Sequence, residues 1–287
     1  MSTATPTSDA LEAEDWAGAM GAKWLANIDR FESMIAPVGE ALLKRAAFRP
    51  GERVIDIGCG GGGTSIAIGA EVAPDGAVTG LDISPDLIAF ATTRAATAGA
   101  ANVSFVQADA SVAKPSGAPF DRLFSRFGSM FFAEPKPAFG NLKSLIRPGG
   151  RADLAVWAPA RDNLWIAAMM GVLGRHLALP APVPRAPGPF ALDDPDYIRA
   201  LLGGAGFVDI DIVAWDGMQQ VGGAGSSPES AVAFVLEALS FGDLLAEAGP
   251  AVRSVVSAEL TALFAEHDGP DGVAMPARAW FVTARAG

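Results

Sequence analysis

A run of glycines directly after a short β-branched segment constrains the fold of this chain more than any other feature. Residues 53–57 (RVIDI) are followed by Gly58, Cys59 and four further glycines, and residues 64–73 can form a helix. Glycine allows a sharp turn and lets a ligand approach the backbone, and the first N–H groups of a helix are free to bind an anionic group. The segment therefore predicts a strand, a ligand-binding loop and a helix.

Strand-like segments and helices alternate along much of the chain. After 53–57, strands are predicted at positions that share β-branched or aromatic content, namely 77–82, 103–106, 120–125, 152–157, 207–213 and 279–283. Such alternation is typical of a doubly wound α/β fold with a mostly parallel sheet, here of seven strands, that is covered on both faces.

The helical segments outside this alternation predict a cap. We divide the chain into an N-terminal helical cap segment (1–48), a ligand-binding core (49–157), a cap insertion with a helix (158–206) and the last strands of the core (207–287), which contain a helical insertion at 216–277. Because ligands of doubly wound sheets bind at the carboxyl edge, we expect the cap to cover that edge.

Composition narrows the kind of ligand and partner. The formal net charge is −11, whereas a nucleic-acid-binding protein usually carries a basic face, so we expect a small-molecule ligand and no nucleic acid.

Cys59 is the only cysteine, which suits a cytoplasmic protein, and no apolar run reaches the roughly 20 residues that span a bilayer. No cluster has metal-ligand spacing, so no metal is expected. Apolar helices at 164–177 and 229–248 are suited to the face of a homodimer.

The glycine loop alone leaves two classes of cofactor open. Gly58, Gly60 and Gly63 satisfy the dinucleotide fingerprint, and Asp82 lies about 20 residues further on, where a ribose ligand is expected. Asp56 at the end of the first strand favours a cationic ligand over a pyrophosphate. The first alternative predicts an NAD(P)-dependent oxidoreductase.

Four motifs together resemble those of the class I S-adenosylmethionine-dependent methyltransferases. They are VIDIGCGGG at 54–62, GLDIS at 80–84, QADA at 107–110 and RPGG at 147–150. Their order and spacing agree with the family from about residue 50 to 157, and the nearest subgroup resembles the bacterial ubiquinone/menaquinone-biosynthesis enzymes. The resemblance implies S-adenosylmethionine as the cofactor and methyl transfer to a small acceptor as the activity. A non-catalytic cofactor-binding protein on this fold stays an alternative.

The resemblance also implies residues that bind the cofactor. These are Asp56, Gly58, Gly60, Gly62, Thr64, Asp82, Ile83, Asp109, Ala110 and Ser125. Loop 58–62 would pass the methionine part, with Asp56 near its amino group. Asp82 would accept hydrogen bonds from both ribose hydroxyls, Ile83 would pack on the adenine, and Asp109 with the next backbone N–H would meet the adenine edge.

The residues that act on the acceptor are less specifically marked. His176 is a candidate base for O-methylation or a histidine without a catalytic role, and Arg126 either orients an acidic acceptor or pairs with a nearby carboxylate. Aromatic residues suited to an apolar acceptor pocket are Trp24, Phe127, Phe131 and Trp165. We therefore expect O- or C-methylation of an apolar or aromatic acceptor.

Overall fold

The computed structural model describes residues 13–239 and 241–287. The strands in these ranges are β1 (Arg53–Ile57), β2 (Ala77–Asp82), β3 (Val103–Gln107), β4 (Phe120–Arg126), β5 (Ile146–Trp157), β6 (Phe207–Gln220), β7 (Asp268–Gly269) and β8 (Gly272–Ala286). They are arranged in the order β3-β2-β1-β4-β5-β8-β6, with the two-residue β7 paired to β8.

The direction of the strands is that of a doubly wound fold. Strands β1 to β5 are parallel to their neighbours, β8 is antiparallel to β5, and β6 is antiparallel to β8. Strand β6 therefore points in the same direction as β1, and the carboxyl ends of six strands meet at one edge. The predicted mostly parallel α/β sheet is confirmed.

Helices cover both faces of the sheet and its carboxyl edge. They are α1 (Ala13–Ala17), α2 (Ala19–Ala26), α3 (Ile28–Ala46), α4 (Gly63–Val72), α5 (Pro85–Thr97), α6 (Pro135–Ser144), α7 (Leu164–Leu173), α8 (Pro195–Gly204), α9 (Pro228–Ala238), α10 (Phe241–Ala248) and α11 (Pro250–Ala265). Since both faces of the sheet are covered, β1 is buried from Val54 to Ile57.

Three consecutive residues fix the start of helix α5. Ser84 is the N-cap, and its Oγ accepts a hydrogen bond from the N–H of Leu87 at 3.4 Å. Pro85 occupies the first helical position, where its missing N–H costs nothing, and Asp86 complements the helix dipole. This start fixes the chain directly after Asp82.

The cap helices pack mainly on one another and on the core. Helix α2 packs on α5, and α9, α10 and α11 pack together, with α7 against α11. Apolar faces of α7, α9 and α10 are thereby buried within the chain, and the dimer face expected there stays a prediction. None of the helices in the described ranges has the length and apolar character needed to cross a bilayer.

Strands β5, β6 and β8 are each longer than the sequence predicts, and β5 already begins at Ile146. Strand β6 continues to Gln220 and β8 begins at Gly272, so the insertion expected at 216–277 is shorter at both ends. Asp216 and Gly217 are residue types common in turns, but pairing with Arg278 and Ala277 keeps them extended. The predicted segment 1–48 begins outside the described residues.

Candidate functional site

A cavity lies at the carboxyl edge of the sheet. Its wall includes residues at or just beyond the ends of β1, β2, β3, β4, β5 and β6, and helices α2 and α3 close it from the N-terminal side. The order of the strands places Asp109 and Asp82 towards one end of the cavity, and Trp157 and Gln219 towards the other.

The glycine loop forms one wall because the backbone is exposed there. Gly58 and Gly60 have φ values of +67° and +53°, a region that disfavours other residues. A Cβ atom on Gly58 would lie 2.6 Å from the Cα of Gly128, whereas one on Gly60 would meet nothing closer than Trp24 Nε1 at 4.0 Å. Gly58 is thus required for packing of two loops, and Gly60 leaves the backbone open to the cavity.

Asp82 connects the glycine loop to the start of α5. Its Oδ2 accepts a hydrogen bond from the N–H of Gly60 at 2.9 Å, and its Oδ1 accepts one from the N–H of Ser84 at 3.0 Å. Burial raises the pKa of Asp82 above its ordinary value, while these backbone N–H groups oppose the shift. Each carboxylate oxygen can accept a further hydrogen bond, and the residue lines the cavity.

Asp56 lies beneath the loop and is not part of the cavity wall. Its Oδ2 accepts hydrogen bonds from Thr64 Oγ1 at 2.8 Å and Ser65 Oγ at 2.7 Å. Its Oδ1 is buried and has no hydrogen-bond partner in the described part of the chain. Burial raises the pKa of Asp56 to about 6, although the two hydroxyl bonds lower it. Thr64 therefore holds Asp56 against α4.

The other predicted cofactor-binding residues divide between the wall and the layer behind it. Ile83, Asp109 and Ala110 line the cavity. Gly62 is not in the wall, and a Cβ there would lie 2.7 Å from the ring of Phe105. Ser125 is buried outside the wall, and its Oγ donates to the Ile57 carbonyl at 2.9 Å, which joins β4 to β1.

Aromatic side chains line much of the remaining wall, from Trp24 beside the glycine loop to Trp157 and Trp165 towards the far end. All four predicted acceptor-binding residues, Trp24, Phe127, Phe131 and Trp165, lie in its wall. Trp24 stacks on Phe31 with ring centroids 4.0 Å apart, and Phe127 stacks on Trp157 at 4.2 Å. These rings make a rigid apolar surface suited to a flat ligand.

Arg126 is a cation in the wall between the two halves. Burial lowers its pKa, and the charges of Glu32 and Asp56 oppose this. Within residues 13–239 and 241–287 no carboxylate lies at ion-pair distance from Arg126, and Glu32 is instead bound by Arg94 Nη1 at 2.7 and 2.8 Å. The pairing alternative considered for Arg126 is therefore not what the structure shows.

His176 does not reach the cavity. It follows α7, and its Nε2 lies 3.0 Å from Oε1 of Glu259 on α11. Glu259 also binds Arg175 at 2.5 Å, so the histidine belongs to a surface ion-pair cluster between two cap helices. The expectation of His176 as the base has no support from this position.

Two polar wall residues were not anticipated from the sequence. Glu32 and Gln219 line the cavity, the first from α3 and the second from the end of β6. Glu32 directly follows the buried Phe31 in the amphipathic helix α3, and a charged residue next to the buried face could have indicated a polar site there. Gln219 carried none, because the sequence placed it in an insertion. No group of three or more potential metal ligands occurs among the described residues.

Comparison with known proteins identifies the core. A family model for a methyltransferase domain matches residues 48–156. An uncharacterised protein of Mycobacterium tuberculosis (strain H37Rv) is 33% identical over 128 residues, which is 45% of either chain. Aklanonic acid methyltransferase of Streptomyces sp. (strain C5) is 30% identical over 40% of this chain and 52% of its own. The chain thus spans about half the length of the curated relatives it matches.

A solved structure shows the same fold over nearly the whole chain. The phosphoethanolamine N-methyltransferase 2 of Haemonchus contortus, crystallised with S-adenosylmethionine, superposes with a TM-score of 0.58 at 17% identity, covering 97% of this chain and 61% of that one. The motifs, the matched domain and the fold agree with one another. Residues 48–156 are therefore a methyltransferase domain, and the chain shares the fold of that S-adenosylmethionine-binding N-methyltransferase.

Proposed function

We propose that this protein transfers a methyl group from S-adenosylmethionine to a small, apolar or aromatic acceptor, on oxygen or on carbon. The observation that carries the proposal is one continuous cavity with two unlike halves. One half presents Asp82 and Asp109 beside an open glycine backbone, and the other presents stacked aromatic rings with Arg126 between them. A cofactor and an acceptor would meet where the halves join.

The polar half fits S-adenosylmethionine. Asp82 has acceptor capacity left for two hydroxyl groups, and among the described residues Asp109 Oδ1 is engaged only by the N–H of Ser111 at 2.8 Å. Ile83 supplies an apolar contact for a purine face. The carboxylates of Asp82, Asp109 and Glu32 make this part of the wall acidic, which suits a cationic ligand.

The bound cofactor supplies an activated methyl group on a sulfonium ion. The chain's own residues would align the acceptor and keep water away. Stacked pairs such as Phe127 on Trp157 are rigid, so an aromatic acceptor that packs against them would be held in a nearly fixed orientation. The buried rings also exclude water from the acceptor side.

Among the described residues, the aromatic end of the cavity wall offers no free carboxylate or histidine as a base for a poorly acidic acceptor, since Asp82 and Asp109 line the other end. Glu32 is bound by Arg94, and Asp82 holds two backbone N–H groups. Arg126 instead presents a cation that would stabilise the ionised form of a phenol or enol and lower its pKa. We therefore propose acceptors that ionise readily, and a nucleic-acid acceptor is disfavoured by the net charge of −11.

A product-mass assay tests the function. The protein is incubated with S-adenosylmethionine and a panel of phenols, naphthols and hydroxyquinones, with Arg126→Gln and an exposed control, Arg147→Gln, alongside. We expect at least one product heavier by about 14 Da, formed more slowly by Arg126→Gln and equally fast by the control. Cofactor binding without any methylated product across the panel would favour the non-catalytic alternative.

A further inference from the structure

Gln219 occupies an unusual place at the aromatic end of the cavity. It lies one residue before the end of β6, paired with Met275 of β8, and only 1% of its surface is exposed. Since β6 points in the same direction as β1, this end of the strand lies at the cavity, whose wall includes Gln219.

The amide of Gln219 has no partner. Neither Oε1 nor Nε2 makes a hydrogen bond to any residue that the structure describes. Buried side-chain amides are almost always hydrogen-bonded, because leaving a donor and an acceptor unpaired away from water is costly. The neighbouring Gln220 is half-buried and is not in the wall, so it provides a matched control for position 219.

The position of Gln219 assigns it to the acceptor. The strands that carry the cofactor residues are β2 and β3, whereas β6 is at the other end of the sheet. Five strand spacings separate β2 from β6, which is roughly 24 Å between strand axes. Trp157 on β5 and Trp165 on α7 belong to the same end of the wall as Gln219.

We propose that Gln219 is a specificity-determining residue that recognises the methyl acceptor through a neutral group that both donates and accepts hydrogen bonds, on an otherwise aromatic molecule. This inference rests on the proposed function. An amide side chain carries two N–H donors and one carbonyl acceptor, so a carboxamide, or a hydroxyl beside a carbonyl, satisfies both atoms at once. A carboxylate accepts only, and would leave the Gln219 carbonyl unpaired.

The test uses a pair of matched probes. Binding of 2-naphthamide and of 2-ethylnaphthalene is measured by calorimetry on protein saturated with S-adenosylhomocysteine. The wild type should bind 2-naphthamide at least about tenfold more tightly than 2-ethylnaphthalene, because only the amide satisfies Gln219. Gln219→Leu should abolish or reverse this preference, and the control Gln220→Leu should retain it.

Several results would overturn the inference. They are equal affinity of the wild type for both probes, no detectable binding of 2-naphthamide, or a preference that survives in Gln219→Leu. Thermal melting without ligand is a second readout. Leucine at this position should raise the melting temperature, since it removes an unpaired amide, whereas a fall would mean that the amide has a partner within the protein.

S-Adenosylhomocysteine separates this inference from the proposed function. The wild type and Gln219→Leu should bind it equally. If the wild type does not bind it, the proposed function fails and the inference fails with it. If it binds but the probes are not distinguished, the inference about Gln219 fails while the proposed function stands.

Discussion

Replacing Asp82 by asparagine should weaken the binding of the cofactor while leaving the stability of the fold nearly unchanged. In the ligand-free protein the carboxylate accepts the N–H groups of Gly60 and Ser84, and asparagine has one oxygen with which to accept them. The hydrogen bond lost costs about 1 kcal/mol. This loss is offset because the substitution removes a charge that burial disfavours, as the raised pKa of Asp82 indicates. We expect the free energy of unfolding to change by at most about 1 kcal/mol.

Cofactor binding should change far more. The proposed contacts are two hydrogen bonds from ribose hydroxyls to a carboxylate, each worth about 1.5–3 kcal/mol, of which asparagine can replace one by a weaker neutral bond. The net loss is about 3 kcal/mol, which corresponds to a dissociation constant about a hundredfold higher. Calorimetric titration with S-adenosylhomocysteine measures this dissociation constant. S-Adenosylhomocysteine is the cofactor without its methyl group, and it retains the ribose and adenine that Asp82 and its neighbours would bind.

The control for Asp82→Asn removes the same charge elsewhere. Asp75 is exposed in the turn between α4 and β2, so Asp75→Asn should leave the affinity for S-adenosylhomocysteine unchanged. A dissociation constant for folded Asp82→Asn within threefold of the wild type would refute the assignment of Asp82 to the ribose. Equal losses in both variants would attribute the effect to net charge.

Three further predictions concern stability and catalysis. Because burial raises the pKa of Asp56 to about 6, the folded protein binds a proton on this carboxyl group more tightly than the unfolded chain does. As the pH rises from below 3.8 to above about 6, the wild type should therefore lose about 3 kcal/mol of unfolding free energy that Asp56→Asn does not lose. Urea unfolding across this pH range measures it, and parallel profiles would contradict it. Arg122→Met should lower the free energy of unfolding by about 3 kcal/mol, since it removes the cation 2.8 Å from the fully buried Asp153. The control Arg147→Met removes an exposed ion pair and should lower it by at most about 1 kcal/mol. Similar urea midpoints for the two variants would be inconsistent with this difference. The turnover of His176→Gln should stay within about twofold of that of the wild type, because the His176 ring pairs with Glu259 outside the cavity. A tenfold loss of turnover with unchanged cofactor affinity would instead support His176 as the base.

The cofactor half could be predicted from the sequence because it is local. The strand end, the glycine loop and the start of α4 lie within a few residues, and Asp82 follows at the end of the next strand, which pairs directly with the first. Parallel pairing brings both strand ends to the same edge without further information. The sequence could not separate residues that face the cavity from those behind it, such as Thr64 and Ser125, because both sets share the same short segments.

The acceptor half depends on contacts between distant segments. Phe127, Trp165 and Gln219 come from three regions that only the order β4-β5-β8-β6 brings together. Local composition also misplaced the end of β6, since Asp216 and Gly217 are typical of turns and are held extended only by their partners on β8. His176 was singled out by residue type alone, and its pairing with Glu259 on another helix has no local signal.

Calorimetric titration of the wild-type protein with S-adenosylmethionine, S-adenosylhomocysteine and NAD⁺ tests the central claim most directly. The account predicts micromolar binding of the first two and no binding of NAD⁺, because the open glycine backbone lies among carboxylates that suit a sulfonium and disfavour a pyrophosphate. Binding of NAD⁺ with no binding of either adenosyl compound would contradict it, and would assign the glycine loop to a dinucleotide.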